Sequence, residues 1–286
     1  MGTLRRFEVH RATSVDEAVE LRRRYGDDAA VYAGGTELLL AMKLGVARYA
    51  HLIDVKPIAA ISGVTRTDGI VRVGATTTHW ELERDPLLRR ALPAFARMEA
   101  NVANVRVRAA GTLAGNLAFA EPHADPPALL VALGARVTLQ GSNGARMVAV
   151  ADLITGVYET AIGPDEILTH IEIPVPPEDA RVAYVKFQIL ERPSVGVAAI
   201  ATLREGRFVG APTLVVGAVD EVPRRVATPR LAGASARAAE TRDAIAEAAR
   251  AAVEPIPDLA GGVEYKRHLV GVFTLRALDE LVAEAA

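Results

Sequence analysis

Ala29-Ala30-Val31-Tyr32-Ala33-Gly34-Gly35-Thr36-Glu37-Leu38-Leu39-Leu40 is the stretch from which the fold is read. Residues 29–32 have the length and apolar character of a short buried strand, and residues 37–44 set Leu38, Leu39 and Met42 at helical spacing. The two glycines between them leave backbone N–H groups uncovered by side chains. A strand, glycine turn and helix in this order can surround phosphate oxygens, with the Thr36 hydroxyl and the positive end of the helix as further donors. The same glycines also serve any strand-to-helix turn that needs a positive φ. A second stretch, Gly111-Thr112-Leu113-Ala114-Gly115-Asn116, has the same character, and two such turns suit a diphosphate. Neither has G-x-G-x-x-G spacing, and no Gly-Lys-Ser/Thr follows either, which argues against Rossmann and P-loop sites.

Toward the N-terminus, residues 6–10 read as a strand. Ser14 caps a helix that ends at Tyr25-Gly26, with Glu17 in capping-box position. Toward the C-terminus, residues 51–55 and 70–75 read as strands, the second after a turn at Asp68-Gly69. Thr78 opens one helix, residues 86–101 form a longer one, and Pro126-Pro127 open another that Gly134 stops. Residues 136–140 and 146–150 flank Ser142-Asn143-Gly144, a hairpin signal. Pro174, Pro176 and Pro177 force an extended connection and mark a domain boundary. Beyond it, strands at 183–189, 195–203 and 213–219 precede alanine-rich helices from Ala232 and from Glu264. Sheet and helices segregate there, as in an α+β fold.

The 286 residues are half hydrophobic and 24% charged, enough for one large domain or two smaller ones. A net charge of -2 provides no basic field, so no nucleic acid is expected as a partner. Arg22-Arg23-Arg24 reads as a solvated helix face, and Val105-Arg106-Val107-Arg108 as either such a face or an anion contact. The absence of cysteine excludes disulfides, thiolate-bound zinc and iron–sulfur clusters from this chain. The six histidines show no H-x-H or H-E-x-x-H spacing, so no metal site is expected, and Ser194 and Ser235 lie outside any G-x-S-x-G context. No apolar run follows the N-terminal arginines or reaches the length of a transmembrane segment, which makes the cytoplasm the expected location.

Gly34-Gly35-Thr36-Glu37-Leu38 with Met42-Lys43, Ile53-Asp54, Val73-Gly74-Ala75-Thr76-Thr77, Gly111-Thr112 with Gly115-Asn116, and Asp125-Pro126-Pro127 stand in a familiar order. With Glu166-Ile167-Leu168, Lys186 and Glu264-Tyr265-Lys266-Arg267, they give a chain that resembles the flavoprotein subunits of the xanthine dehydrogenase and carbon monoxide dehydrogenase family over nearly its whole length. The resemblance implies an α+β fold: a two-subdomain FAD-binding domain of the vanillyl-alcohol-oxidase type over residues 1–176, then a smaller α+β domain over 177–286. It implies a first FAD loop of Val31, Tyr32, Ala33, Gly34, Gly35, Thr36, Glu37 and Leu38. Gly111, Thr112, Ala114, Gly115 and Asn116 would form the second, with Thr76 and Val102 as further FAD-binding positions. Asp125 would accept hydrogen bonds from ribityl or ribose hydroxyls. Leu168 and Lys186 fall on flavin-contacting positions, Lys186 near the N1–C2=O region.

Read without the resemblance, Asp125 is a helix cap before Pro126 and Lys186 a strand lysine reaching solvent. His79 and His123 either tune a flavin or are surface or hydrogen-bonded histidines. Two departures stand out. Ala114 replaces a family glycine, and its methyl group would be strained at positive φ. Arg108 is followed by Ala109 where the family has asparagine.

The implied activity is electron transfer, with FAD as cofactor and no catalytic residue in this chain. A large molybdopterin-binding subunit and a small iron–sulfur subunit are the implied partners, in a dimer of heterotrimers, with NAD, a quinone or oxygen as acceptor. Two other readings stand beside it: a self-contained flavin-dependent oxidoreductase acting on a small molecule, and an assembly scaffold that has lost its flavin.

Overall fold

The computed structural model describes residues 4–283, so the first three residues of the N-terminal stretch lie outside it. The chain begins with strand β1 (Glu8–Arg11), helix α1 (Val15–Tyr25), β2 (Ala29–Tyr32), α2 (Leu38–Leu44) and β3 (His51–Asp54). β1 and β2 flank β3 in a parallel three-stranded sheet. The hairpin β4 (Val64–Thr67) and β5 (Ile70–Gly74) follows. Six short helices come next: α3 (His79–Arg84), α4 (Pro86–Ala91), α5 (Pro93–Glu99), α6 (Val105–Ala110), α7 (Leu113–Phe119) and α8 (Pro126–Ala132). Then come β6 (Arg136–Gly141), β7 (Gly144–Ala149), the single turn α9 (Val150–Leu153), the ribbon β8 (Ile154–Gly156) and β9 (Glu159–Thr160), and β10 (Ile167–Pro174). β10 lies between β5 and β6 in an antiparallel sheet of order β4-β5-β10-β6-β7. The last part consists of β11 (Ala180–Ile189), β12 (Arg192–Arg204), β13 (Arg207–Phe208), β14 (Thr213–Gly217), β15 (Arg224–Arg225), α10 (Ala239–Ala251) and α11 (Val263–Ala283). None of the described helices is long and apolar enough to cross a membrane.

Local chemistry explains where these elements depart from the sequence reading. The expected helix over 86–101 is two helices, because Pro93 has no N–H to donate and crowds the preceding turn, leaving Leu92 at φ -138, ψ 62. Each half starts on a proline, the residue best suited to a first helical position. The N-terminal strand runs Glu8–Arg11 instead of 6–10. Ser14 caps α1 as expected, and the Glu17 carboxylate reaches back mainly to the Thr13 N–H and hydroxyl. β4 escaped the reading because only Val64 of its four residues is even partly buried; it is set by Asp68 and Gly69, both at positive φ, in the tight turn to β5. The helix expected from Ala232 begins at Ala239. Residues 232–238 instead fold back on β13, where Phe208 N–H reaches the Ala234 carbonyl and Ala236 N–H that of Gly206.

The two N-terminal sheets share one core, with Ala18, Ile53, Val73, Leu113, Leu129 and Ile171 in a single cluster. The third sheet buries both faces, which is why β12 reads as a nearly unbroken apolar run. Val195, Val197 and Ala199, with Leu214 and Val216 of β14, pack with Ile245, Phe273 and Leu278 of the two C-terminal helices. Ala198 and Val215, pointing the other way, join the first cluster. Gly217 permits this docking, since a Cβ there would lie 2.9 Å from the Cβ of Ala128 on α8. Gly217→Val is therefore expected to lower the urea midpoint by a stability loss of about 1–3 kcal/mol, the usual cost of overpacking; an unchanged midpoint would show that β14 and α8 yield without cost.

Candidate functional site

The first glycine turn leaves the carboxyl end of β2 and enters α2. Gly35 has φ +68, and a Cβ on it would lie 2.3 Å from the Tyr32 ring, so this position requires glycine twice over. Gly34 has a different reason: its Cβ would lie 2.2 Å from the Ala110 carbonyl oxygen and 2.7 Å from Gly111 Cα. The two glycine stretches, far apart in sequence, thus meet backbone to backbone. Thr36 Oγ1 belongs to the same contact, 3.4 Å from where a Gly111 Cβ would be. Among the described residues the N–H groups of Gly34, Gly35, Thr36 and Glu37 have no acceptor; Leu39 N–H is the first to bond, to the Gly35 carbonyl at 3.0 Å.

The second stretch is a junction between helices rather than a loop. α6 ends at Gly111, and Thr112 caps α7, its Oγ1 accepting from Gly115 N–H at 3.0 Å. Ala114 lies in that helix, is absent from the residues with positive φ, and buries its methyl group in the core, so the strain expected there does not arise. Asn116 has a buried Oδ1 without a hydrogen-bond partner. α3 holds the junction in place: Thr78 and Thr112 form an antiparallel bridge, and His79 N–H donates to the Gly111 carbonyl at 3.0 Å.

His79 is an interior residue. Its ring rests against Gly111, and Nδ1 lies 2.5 Å from Oε2 of the fully buried Glu99. Asp125 is also buried, and its carboxylate does not cap α8. It accepts instead from the Tyr184 hydroxyl at 2.9 Å and the Lys186 ammonium at 3.0 Å. Burial pushes the Asp125 carboxyl pKa up, and the Lys186 charge works against that rise. Tyr184 is pushed well above the usual phenol range, by burial and then by the adjacent Asp125 charge. Lys186 does not reach freely into solvent, because its ammonium also donates to the Asn101 carbonyl at 2.7 Å. Of the remaining sequence candidates, Thr76 Oγ1 donates to the Ile61 carbonyl, while Val102 and Leu168 sit in the core with Leu113. Arg108 clamps Glu83 and the Val102 carbonyl, which takes it out of contention as an anion contact.

One ionic network was invisible in the sequence. Arg192, at the tip between β11 and β12, pairs with Glu37 of the first turn and with Glu121. Beside it on the same tip, Glu191 accepts from Asn104, the cap of α6. Glu121 also accepts from the Tyr158 hydroxyl and lies 3.1 Å from His123, whose other ring nitrogen is 2.8 Å from Asp258. Asp258 in turn pairs with Lys266, a fully buried lysine of α11. Nothing in spacing or periodicity connects these residues; only Glu121 and His123 are close in the chain.

The arrangement suits a diphosphate. The acceptor-free amides of the first turn, a buried Asn116 oxygen lacking a partner, and a backbone contact that a Cβ would fill all point to one bound group.

Gly34→Ala should force the two turns apart and weaken FAD binding about 10- to 100-fold, as 1–3 kcal/mol of overpacking implies; titration of the apoprotein checks this, and an unchanged Kd would separate the contact from FAD. Lys186→Met strands the Asp125 carboxylate and is expected to cost about 3–5 kcal/mol in urea unfolding, part of it recovered on adding Asp125→Asn. For Glu121, burial alone would raise the pKa, but bonds from His123 and Tyr158 and the Arg192 charge bring it from 4.5 down to about 2. The ionised carboxylate therefore contributes stability that is complete above pH 4.5 and lost as pH falls toward about 2. Melting curves across that range should fall more steeply for the wild type than for Glu121→Gln; parallel curves would contradict this.

A family model described as the FAD binding domain in molybdopterin dehydrogenase matches residues 5–176, and one for the CO dehydrogenase flavoprotein C-terminal domain matches residues 191–281. The chain is 33% identical over 281 residues to the carbon monoxide dehydrogenase medium chain of Afipia carboxidovorans, covering 98% of both. It is 34% identical over 287 residues to that of Hydrogenophaga pseudoflava, covering 98% of this chain and 99% of the relative. A solved carbon monoxide dehydrogenase structure from Hydrogenophaga pseudoflava superposes with a TM-score of 0.93 at 32% identity, over 98% of this chain and 99% of the other. The chain therefore belongs to the FAD-binding subunits of the molybdopterin dehydrogenase family, as a flavoprotein subunit of an oxidoreductase of the carbon monoxide and xanthine dehydrogenase type.

Proposed function

We propose that this chain passes electrons from the iron–sulfur clusters of a small partner subunit, through FAD, to an external acceptor, while a large molybdopterin-binding partner oxidises the substrate. The contact of Gly34 with Ala110 and Gly111 carries the reading, because it sets the acceptor-free amides of the first turn against the start of α7. Bound there, FAD supplies the redox chemistry. The chain's own part is to hold and tune it. Residues 31–38 and 111–116 would hold the diphosphate, Thr36 and Asn116 would add side-chain partners, and the buried Asp125–Lys186 pair would set the local charge for the flavin. In this reading residues 1–176 are the FAD-binding domain and 177–286 close over it, with Arg192 reaching back to Glu37.

The absence of cysteine supports partner-borne clusters, since this chain has no thiolate to hold one. The relatives' description as medium chains supports a complex of further subunits, for which we infer a cytoplasmic dimer of heterotrimers using NAD, a quinone or oxygen as acceptor. The test is purification of the native complex, with subunits identified by mass spectrometry and flavin reduction followed anaerobically. Substrate should bleach the flavin only when a molybdenum-bearing partner is present. Reduction of the isolated FAD-loaded chain by the same substrate would overturn the subunit reading.

A further inference from the structure

We propose that Glu8, His10 and His51 form a binding site for a divalent transition cation of the zinc class. The fold assembles it from two strands far apart in sequence, so histidine spacing gave no sign of it. Glu8 and His10 alternate onto one face of β1, and the parallel register places His51 of β3 beside Glu8 on that face. His10 Nε2 and His51 Nδ1 are 3.0 Å apart, and Glu8 Oε2 lies 3.9 and 3.7 Å from them. A triangle with those sides has a centre about 2.1 Å from every corner, the length of a zinc bond to imidazole or carboxylate.

The rings are already held. Tyr25, at the end of α1, stacks on His51 at 3.9 Å and on His10 at 4.8 Å, with interplanar angles of 25° and 24°. Both imidazoles are half-buried, and Glu8 stands at the solvent rim. The two facing ring nitrogens already stand 3.0 Å apart, the atoms between which a cation would sit. Two imidazoles and one carboxylate suit Zn2+, Co2+, Ni2+ or Cu2+ and not Mg2+ or Ca2+, which take oxygen ligands. Three protein ligands leave room for water in the remaining position.

The site lies at the amino ends of β1 and β3, whereas the first glycine turn leaves the carboxyl end of β2. With about 3.3 Å per strand residue, the cation sits roughly 10 Å or more from that turn. Its effect is to brace the sheet that carries the turn, without meeting the flavin.

The test uses the full FAD-loaded protein, stripped with chelator and titrated with ZnCl2 by calorimetry, with Co2+ absorption and thermal melting in parallel. One Zn2+ per chain is expected, together with a raised Tm, an unaltered flavin spectrum and no response to Mg2+. His10→Gln and His51→Gln should each reduce affinity by at least the roughly 10- to 100-fold that losing a mere supporting hydrogen bond costs a metal site. Glu8→Gln, on the exposed rim, covers the case in which a histidine variant fails to fold, and should also weaken binding. Substoichiometric uptake, or wild-type affinity in the folded variants, would overturn the proposal.

Discussion

The backbone of Gly34 lies against the Ala110 carbonyl and Gly111 Cα with no side chain between them, and the proposed cofactor site depends on that contact. A phosphate cradle needs amides that converge, and one short turn offers few. Here the amides of one turn come from the end of a parallel strand and those of the other from the start of α7. Their convergence depends on how closely the two backbones approach. Any Cβ at Gly34 would have to displace main-chain atoms, which unlike a flexible side chain cannot swing aside.

The rest of the fold keeps that approach fixed. The short helices crossing beneath the second turn carry a buried polar string in which His79 bonds Glu99 and holds the Gly111 carbonyl through its own N–H. The Glu99 charge acts in turn on Asp125, which is held by Tyr184 and Lys186 of the C-terminal sheet. On the open side Arg192 joins Glu37 to Glu121, and the ionic links continue through His123 and Asp258 to Lys266. Both routes tie the turns to the C-terminal half. Buried pairs of this kind are weak evidence of stability as such, but breaking one leaves a charge that the interior cannot solvate.

Local patterns were legible in the sequence, and long-range pairings were not. Gly34-Gly35 between a strand and a helix, the Ser14 cap, the Asn143-Gly144 hairpin and the apolar run of β12 each depend on neighbours within a few residues, and each was readable. At Pro93 two local signals conflict: apolar periodicity continues across it, while the backbone cannot. Ala114 shows a different conflict. A glycine position in relatives suggested positive φ, yet in this chain the residue is helical and its methyl group fills the core. Glu121, Arg192, Asp258 and the Glu8, His10, His51 cluster lay beyond any local reading, because each is defined by the meeting of distant segments.

The central claim is that the two turns act as one unit because they touch, and a double-mutant cycle on FAD affinity with Gly34→Ala and Gly111→Ala tests it most directly. Since a Cβ at Gly34 displaces the Ala110–Gly111 backbone and a Cβ at Gly111 displaces that same backbone away from the Val107 carbonyl, the second substitution should add little to the first, giving a coupling energy of about 1 kcal/mol or more. Strictly additive losses of affinity would mean that the turns hold the cofactor independently, and would contradict the account.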